Sequence, residues 1–190
     1  MAGKAAEKEN RRSRMTKQLL RRALLELMQE KPLSKITIRE ICEQADLNRT
    51  TFYLHYTDQT DILKDIERDV LEQTKTAMQH IHTDLHTTDL VSAFLAYVRE
   101  NDLAFRILFG RTDSERFRRA FVTELRQVMA PDLPEYGSET ETGYVLTFMM
   151  YGSLYIIIEW MNNGYRESVE KTAELLFRLC DSIDPGIGRM

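Results

Sequence analysis

Two short helices joined by a very tight turn are the feature that most constrains the fold of this chain. The segment TIREICEQADLNRTTFYLHY begins at Thr37. Thr37 followed three residues later by Glu40 is a capping box, which predicts that a helix begins directly after Thr37. Asn48 is a natural N-cap, so a second helix should begin after it. Because only Asp46 and Leu47 lie between these helices, the connection must be a tight turn.

Helical periodicity extends over nearly the whole chain. Apolar residues in MTKQLLRRALLELMQE, residues 15–30, recur every three to four positions, as in an amphipathic helix. We expect further helices from about residue 58 to 80 and over 89–100, 102–110, 114–129, 139–162 and 167–183. Ser138 and Glu141 form a second capping box. With 8 Gly and 4 Pro in 190 residues and no sustained strand-like alternation, the sequence predicts an all-α fold of about nine helices.

Two short helices packed on a longer preceding helix make a helix-turn-helix. Ile41 and Phe52 can lie beneath the pair, which leaves Arg49 and Tyr53 facing outward. A short helix with a polar front suits the DNA major groove, where Arg49 can donate two hydrogen bonds to a guanine edge. The predicted DNA-contacting residues are Thr37, Asn48, Arg49, Thr50, Thr51, Tyr53, His55 and Tyr56. Two helices of an ordinary bundle would show the same pattern, so both interpretations remain open at this point.

Charge is distributed unevenly along the chain. The net charge is −4, yet residues 1–60 carry 12 Lys or Arg against 8 Asp or Glu, and residues 1–22 carry 8 against 2. A basic N-terminal segment suits an arm that faces DNA phosphates, although an unstructured solvated tail has the same composition. This segment lacks the apolar core of a secretory signal, so we expect a cytoplasmic protein.

The longer segment TIREICEQADLNRTTFYLHYTDQTDIL resembles the DNA-binding segment of the TetR family of bacterial transcriptional regulators. The matching positions are Thr37, Ile41, Ala45, Asn48, Thr51, Tyr53, Tyr56 and Leu63. The family usually has Gly where this chain has Asp46, and Asp tolerates a left-handed turn better than most residues. The family usually has a phosphate-contacting Lys where this chain has Gln59, so the resemblance does not supply that contact.

The downstream segment LVSAFLAYVRENDLAFRILFGRTDSERFRRAF resembles the C-terminal domain of a Firmicutes-type branch of the same family, which includes members associated with dihydroxyacetone kinase operons. The resemblance implies a DNA-binding domain over residues 1–57 and a regulatory and dimerisation domain over residues 58–190. It further implies a homodimeric repressor that binds a palindromic double-stranded DNA operator and is released by a small-molecule effector. The alternative is a coactivator of the same fold that works through a partner protein.

Two helical segments near the C-terminus are candidates for a dimer interface. The segment from Tyr144 to Met161 is apolar nearly all round, so it must be covered on all sides. Its apolar run ends at Ile158 and is too short for a membrane span of about 20 residues, so no membrane contact is expected. The predicted interface residues are Tyr144, Phe148, Tyr155, Trp160, Val169 and Leu176. The core helix of a monomer is the alternative interpretation.

Aromatic residues of the middle helices are candidates for an effector pocket, although such residues are more often ordinary core. The candidates are Phe94, Tyr97, Phe105, Phe109, Phe121, Phe148 and Tyr151. His82 and His86 have the helical spacing of zinc ligands, but HTDLHTTD is typical of a helix end, so no metal site is predicted. The sequence has no glycine-rich phosphate loop, nucleophile elbow or paired-carboxylate signature. We therefore expect no catalytic residues, no cofactor and no enzymatic activity.

Overall fold

The described part of the protein consists of helices joined by short turns. The computed structural model describes residues 2–79, 88–110, 114–129 and 137–183. Within these residues lie nine α-helices, a 3-10 turn at Leu33–Lys35 and no β-strand, which confirms the predicted all-α fold. The helices are α1 (Ala2–Glu30), α2 (Ile38–Gln44), α3 (Arg49–Tyr53), α4 (Gln59–Gln79), α5 (Thr88–Glu100), α6 (Asp102–Gly110), α7 (Glu115–Met129), α8 (Glu139–Asn162) and α9 (Val169–Ile183).

The first helix begins earlier than hydrophobic periodicity indicated. It starts at Ala2, whereas the apolar pattern starts at Met15. The residues between them are mainly Ala, Glu, Lys and Arg, which have high helix propensity but supply no apolar stripe. The basic N-terminal segment therefore forms the first part of α1.

Both predicted capping boxes are present. At α2, the Glu40 amide donates to Thr37 Oγ1 at 3.3 Å, and Glu40 Oε2 accepts from the Thr37 amide at 2.9 Å. At α8, the Glu141 amide donates to Ser138 Oγ at 3.3 Å, and Glu141 Oε2 accepts from the Ser138 amide at 2.8 Å. These reciprocal bonds satisfy backbone donors that the first helical turn leaves without partners, and they fix where each helix begins.

The chain forms two compact units, residues 1–69 and residues 70–190, which divide within α4. In the first unit, α1 packs on α2 and α2 packs on α3. Completely buried side chains of this unit are Leu20, Leu24, Ile41, Phe52 and Ile62. In the second unit, α5 packs on α9, and α6 packs on α7 and α8, around completely buried Leu95, Val98 and Ala173. The sequence placed the domain boundary at the start of α4, and that boundary stays a prediction.

Candidate nucleic-acid interface

The turn between α2 and α3 depends on one left-handed residue. Asp46 has φ 52°, in the position where the sequence indicated such a turn. The Leu47 amide donates to the Cys42 carbonyl at 2.9 Å, and the Asp46 amide donates to the Glu43 carbonyl at 3.3 Å. These bonds close the end of α2 in the manner of a glycine-terminated helix, although the residue is Asp. The reversal is short enough for α3 to begin at Arg49.

Replacing Asp46 with valine should lower the free energy of unfolding by about 1–2 kcal/mol, because a β-branched side chain resists a left-handed backbone. Asp46→Gly is the matched control and should leave stability nearly unchanged, since glycine adopts this conformation without strain. Urea denaturation followed by circular dichroism measures both variants. Equal losses in the two proteins would show that the side chain of Asp46, and not the backbone conformation, matters here.

Helix α3 presents a polar face above a buried aromatic anchor. Asn48 Oδ1 accepts from the Thr51 amide at 2.8 Å, which confirms the predicted N-cap. Phe52 is completely buried, whereas Arg49 and Thr50 are exposed. Tyr53 and Leu54 follow as exposed side chains, at 59% and 76%. The structure thus brings the predicted outward residues onto one surface, with Thr51 and His55 half-buried at its edges.

Helix α2 adds residues to the same surface. Thr37 is exposed at the start of α2, and its hydroxyl donates to Glu40 Oε2 at 2.9 Å. An open depression of about 370 Å³ lies between α2 and α3, lined by Arg39, Cys42, Glu43, Leu47, Asn48 and Arg49. Arg39 was not among the sequence predictions. The sequence did contain a clue to Arg39: it is a cation in the first turn of a helix, where the helix dipole disfavours positive charge. Arg39 Nε donates to Glu43 Oε1 at 2.7 Å.

Tyr56 is placed differently from the other predicted DNA contacts. Its side chain is buried, at 4% exposure, and its hydroxyl donates to Asp65 Oδ2 at 2.7 Å. Burial raises the pKa of Tyr56, and the hydrogen bond to Asp65 adds to the rise. Burial also opposes ionisation of Asp65, but hydrogen bonds from Tyr56 and Arg21 outweigh it and keep the pKa of Asp65 below its usual value. The sequence analysis predicted that the Tyr56 hydroxyl faces DNA, whereas in the structure it points into the first unit and donates to Asp65.

The cap of α2 should make the stability of the protein depend on pH. Hydrogen bonds from Lys31 and from Thr37 lower the pKa of Glu40 from 4.5 to about 2. Because the folded-state pKa is depressed, this stabilisation is present above pH 4.5 and is lost as pH falls toward 2. We expect Glu40→Gln to melt at a lower temperature than wild type at neutral pH, with the difference shrinking over that interval. Thermal melts across this pH range test it, and parallel melting curves would contradict it.

The predicted pocket residues of the second unit mostly form an aromatic core. Phe94, Phe105, Phe109 and Phe121 are buried. Ring centroids lie 6.2 Å apart for Phe94 and Phe105, 5.3 Å for Phe105 and Phe109, and 4.8 Å for Phe109 and Phe121. The Tyr97 ring joins them at 5.6 Å from Phe105. These rings pack on one another, and the effector pocket stays a prediction. Phe148, at 67% exposure, does not belong to this cluster, and Tyr151 is half-buried.

The predicted dimer-interface residues separate into two groups. Tyr144, Phe148 and Tyr155 of α8 are exposed at 72%, 67% and 54%. On α9, Leu175 and Leu179 are exposed at 40% and 42%, and neither was predicted. We call these five side chains the α8–α9 apolar face.

Trp160, Val169 and Leu176 were also assigned to the interface, but they are buried within the second unit. The Trp160 indole N–H donates to the Glu167 carbonyl at 2.9 Å. Some apolar side chains of α8 and α9 therefore belong to the chain's own core, and other apolar side chains of the same two helices are exposed.

Metal and membrane sites have little support in the described residues. No group of three or more His, Cys, Asp or Glu side chains there is placed to hold a metal ion. His82 and His86 lie outside the described residues. One described helix, α8, is long and apolar enough to cross a membrane, and such a single helix is weak evidence because core helices of soluble proteins have the same composition.

Comparisons with known proteins agree with this geometry. The family model described as "Bacterial regulatory proteins, tetR family" matches residues 20–66, and the model described as "Transcriptional regulator C-terminal region" matches residues 85–182. The chain is 26% identical over 172 residues to the uncharacterized HTH-type transcriptional regulator YxbF of Bacillus subtilis (strain 168), covering 84% of this chain. The chain spans 43% of the length of that relative.

Solved structures share the fold over most of the chain. A TetR transcriptional regulator from Streptococcus agalactiae 2603V has a TM-score of 0.65 at 20% identity and covers 92% of this chain and 98% of its own. The dihydroxyacetone kinase operon activator DhaS has a TM-score of 0.59 at 17% identity, with 88% and 94% covered. The fatty acid degradation regulator FadR from Bacillus halodurans has a TM-score of 0.63 at 11% identity, with 90% and 96% covered.

At these identities the structural likeness concerns the fold alone, and the family models carry the assignment. The matched models cover both the helix-turn-helix and most of the second unit. Members of the family are soluble DNA-binding transcriptional regulators that typically act as dimers, and they are not enzymes. The predicted helix-turn-helix regulator is thereby confirmed, and the chain belongs to the TetR family of bacterial regulatory proteins.

Proposed function

We propose that this chain is a cytoplasmic, homodimeric repressor whose α3 helix reads base edges in the major groove of a palindromic operator. The observation that carries the proposal is the two-sided character of α3. Phe52 is completely buried and fixes the helix, while Arg49, Thr50 and Tyr53 face solvent. Arg49 is the candidate for a bidentate contact to guanine, because the guanidinium fork matches the O6 and N7 acceptors of that base.

Contacts to the DNA backbone would set the register of α3 on the duplex. The Thr51 hydroxyl and the exposed Arg39 guanidinium suit phosphate oxygens, and the exposed Thr37 hydroxyl would do so after turning away from Glu40 Oε2. Asn48, which lines the depression between α2 and α3, and half-buried His55, which follows α3, complete the proposed contact set. Tyr56 is left out of it, because its hydroxyl is bound to Asp65.

A second copy of this chain is the proposed occupant of the α8–α9 apolar face. Exposed aromatic rings on one helix and exposed leucines on its neighbour form a patch that water solvates poorly. A two-fold axis through such a patch buries the same side chains from both copies. A dimer also carries two copies of α3, and a palindromic operator offers them two half-sites about one helical turn apart.

Release by an effector is the proposed switch. Helix α4 runs through both compact units, so a ligand bound in the second unit can act on the first through this helix. The size of the switch would equal the difference in effector affinity between the DNA-competent and the released arrangement. An effector that binds among the aromatic rings around Phe105 could have different affinities for the two arrangements. The coactivator alternative draws on DhaS, whose likeness to this chain extends to the fold alone.

The helical N-terminal segment supplies a test of phosphate contact. Deleting residues 2–13 should weaken binding to every duplex and flatten its salt dependence, because the segment carries four cations: Lys4, Lys8, Arg11 and Arg12. Each lost phosphate contact should reduce the slope of log affinity against log salt by about 0.9. Fluorescence anisotropy at four salt concentrations measures this slope.

A full-length variant in which these four cations are replaced by glutamine is the matched control, since it removes the charges and leaves the chain length unchanged. We expect it to reproduce the flattened slope of the deletion. A slope equal to that of wild type in both proteins would remove the N-terminal segment from the proposed DNA contacts.

A further inference from the structure

The buried carboxylate of Asp65 in the first unit accepts hydrogen bonds from two arginines and a tyrosine. Asp65, in the second turn of α4, is 5% exposed. Its Oδ2 atom accepts from Arg21 Nε at 2.9 Å, from Arg21 Nη2 at 2.6 Å and from the Tyr56 hydroxyl at 2.7 Å. Arg68 donates to its Oδ1 atom. Burying a charge without partners is costly, so these bonds are what allow the carboxylate to occupy this position.

These contacts join three parts of the helix-turn-helix unit. Arg21 belongs to α1, Asp65 to α4, and Tyr56 lies three residues beyond the end of α3. The Tyr56 ring lies 6.3 Å from the ring of Phe52, the buried anchor of α3. Lys17 Nζ, from α1, lies 5.6 Å from the centre of the Tyr56 ring. The position of Tyr56, and with it the C-terminal end of α3, is therefore tied to both α1 and α4.

Helix α3 needs such an external support. It contains five residues, Arg49–Tyr53, and a helix of this length is not stable or rigid by itself. Side chains that read bases must be held to within about 0.5 Å of their productive geometry. Asn48 fixes the start of α3 and Phe52 fixes its buried side. The polar support at its far end is the hydrogen bond between Tyr56 and Asp65.

We infer that Asp65 is a positioning residue for DNA recognition: by holding the Tyr56 hydroxyl and the Arg21 guanidinium together, it sets the orientation of α3 relative to α1 and α4. The inference rests on the proposed reading of bases by α3. Asp65 itself touches no DNA, because its carboxylate is buried. Losing the Tyr56 contact should therefore reduce discrimination between operator and unrelated DNA, and not only the stability of the fold.

The second unit contains a matched control. The Tyr165 hydroxyl donates to Asp102, and Arg106 Nε donates to the same carboxylate at 2.8 Å. This is the same combination of tyrosine, aspartate and arginine, built from α6 and the turn after α8, and it contains no residue of the helix-turn-helix. Tyr165→Phe therefore removes a chemically equivalent hydrogen bond without touching the support of α3.

The experiment compares Tyr56→Phe, Tyr165→Phe and wild type in the full chain, at a temperature where circular dichroism shows all three folded. The operator is the sequence that wild type enriches from random double-stranded DNA. The readout is the ratio of the affinity for this operator to the affinity for an unrelated duplex of equal length. We expect Tyr56→Phe to lower this ratio about three- to tenfold, the range of one net hydrogen bond, and Tyr165→Phe to leave it unchanged. Asp65→Asn replaces one of the two acceptor oxygens with a donor and removes the charge opposite Arg21, so it should lower the ratio at least as much.

Two results would overturn the positioning role: an unchanged ratio in Tyr56→Phe, or equal losses in the two tyrosine variants. A DNA-free measurement separates this failure from failure of the proposed function. Hydrogen exchange at the amides of residues 49–56 should accelerate in Tyr56→Phe and not in Tyr165→Phe. If wild type fails to distinguish operator from unrelated DNA, the proposed base reading fails, whereas unchanged exchange in Tyr56→Phe refutes the support of α3 by Asp65.

Discussion

Arg49→Ala should weaken operator binding by about 1–3 kcal/mol and relax the base preference at the position that Arg49 contacts. Arg49 is the first residue of α3 and is exposed on the surface that also carries Thr50 and Tyr53. A guanidinium that donates to two acceptors of one guanine cannot do so at the other base pairs, so its loss should matter most at that pair. Anisotropy titrations against operators substituted at each position measure the effect.

Arg22→Ala is the matched control for this substitution. Arg22 is an exposed arginine of α1 in the same unit, and its Nε donates to Glu26 Oε1 at 2.8 Å. Its removal should leave the pattern of base preference unchanged. If Arg49→Ala weakens binding equally at every base substitution, Arg49 contacts the phosphate backbone, and base reading by this residue is excluded.

Phe148→Glu should convert the protein from dimer to monomer. Phe148 belongs to the α8–α9 apolar face and is 67% exposed. A two-fold interface loses the side chain from both copies, and full burial of one such side chain is worth about 1.5–3 kcal/mol. The dimer should therefore weaken by about 3 kcal/mol or more, roughly a hundredfold or more in its dissociation constant. Sedimentation velocity over a concentration series measures this constant, and operator binding should fall with it.

Ala93→Glu provides the matched control, because it places the same charge at an exposed position of α5 in the same unit. This variant should remain dimeric. Persistence of the dimer in Phe148→Glu would place the interface elsewhere on the chain. Loss of the dimer in both variants would point to a general effect of added negative charge on an already acidic unit.

Local signals in the sequence were sufficient to predict where α2 and α3 begin. Capping by Thr37 and Asn48 depends on residues only three positions apart, so the pattern is visible in the sequence and appears in the structure. The spacing predicted a tight turn, and the left-handed residue Asp46 was implied by the resemblance, because the TetR family usually has Gly at that position. The outward placement of Arg49 followed from helical periodicity.

Contacts between distant residues were not predictable in this way. Tyr56 was assigned to DNA because it is a tyrosine beside the recognition helix. In the structure its hydroxyl donates to Asp65 of α4, and Arg21 of α1 donates to the same carboxylate. Nothing in the local sequence around Tyr56 indicates these two residues. The α8 segment is apolar nearly all round, so the sequence cannot tell which of its side chains cover the chain's own core and which stay exposed. Trp160 and Leu176 were therefore assigned to the interface, although both are buried within the chain.

Selection of random double-stranded DNA with the purified protein, near physiological salt and without added ligand, directly tests whether α3 reads bases. We expect enrichment of a palindrome whose half-sites lie about one helical turn apart, because a two-fold dimer carries two copies of α3. Enrichment should disappear in Phe148→Glu and broaden at one base pair per half-site in Arg49→Ala. A folded, dimeric protein that enriches no sequence would contradict base reading by α3.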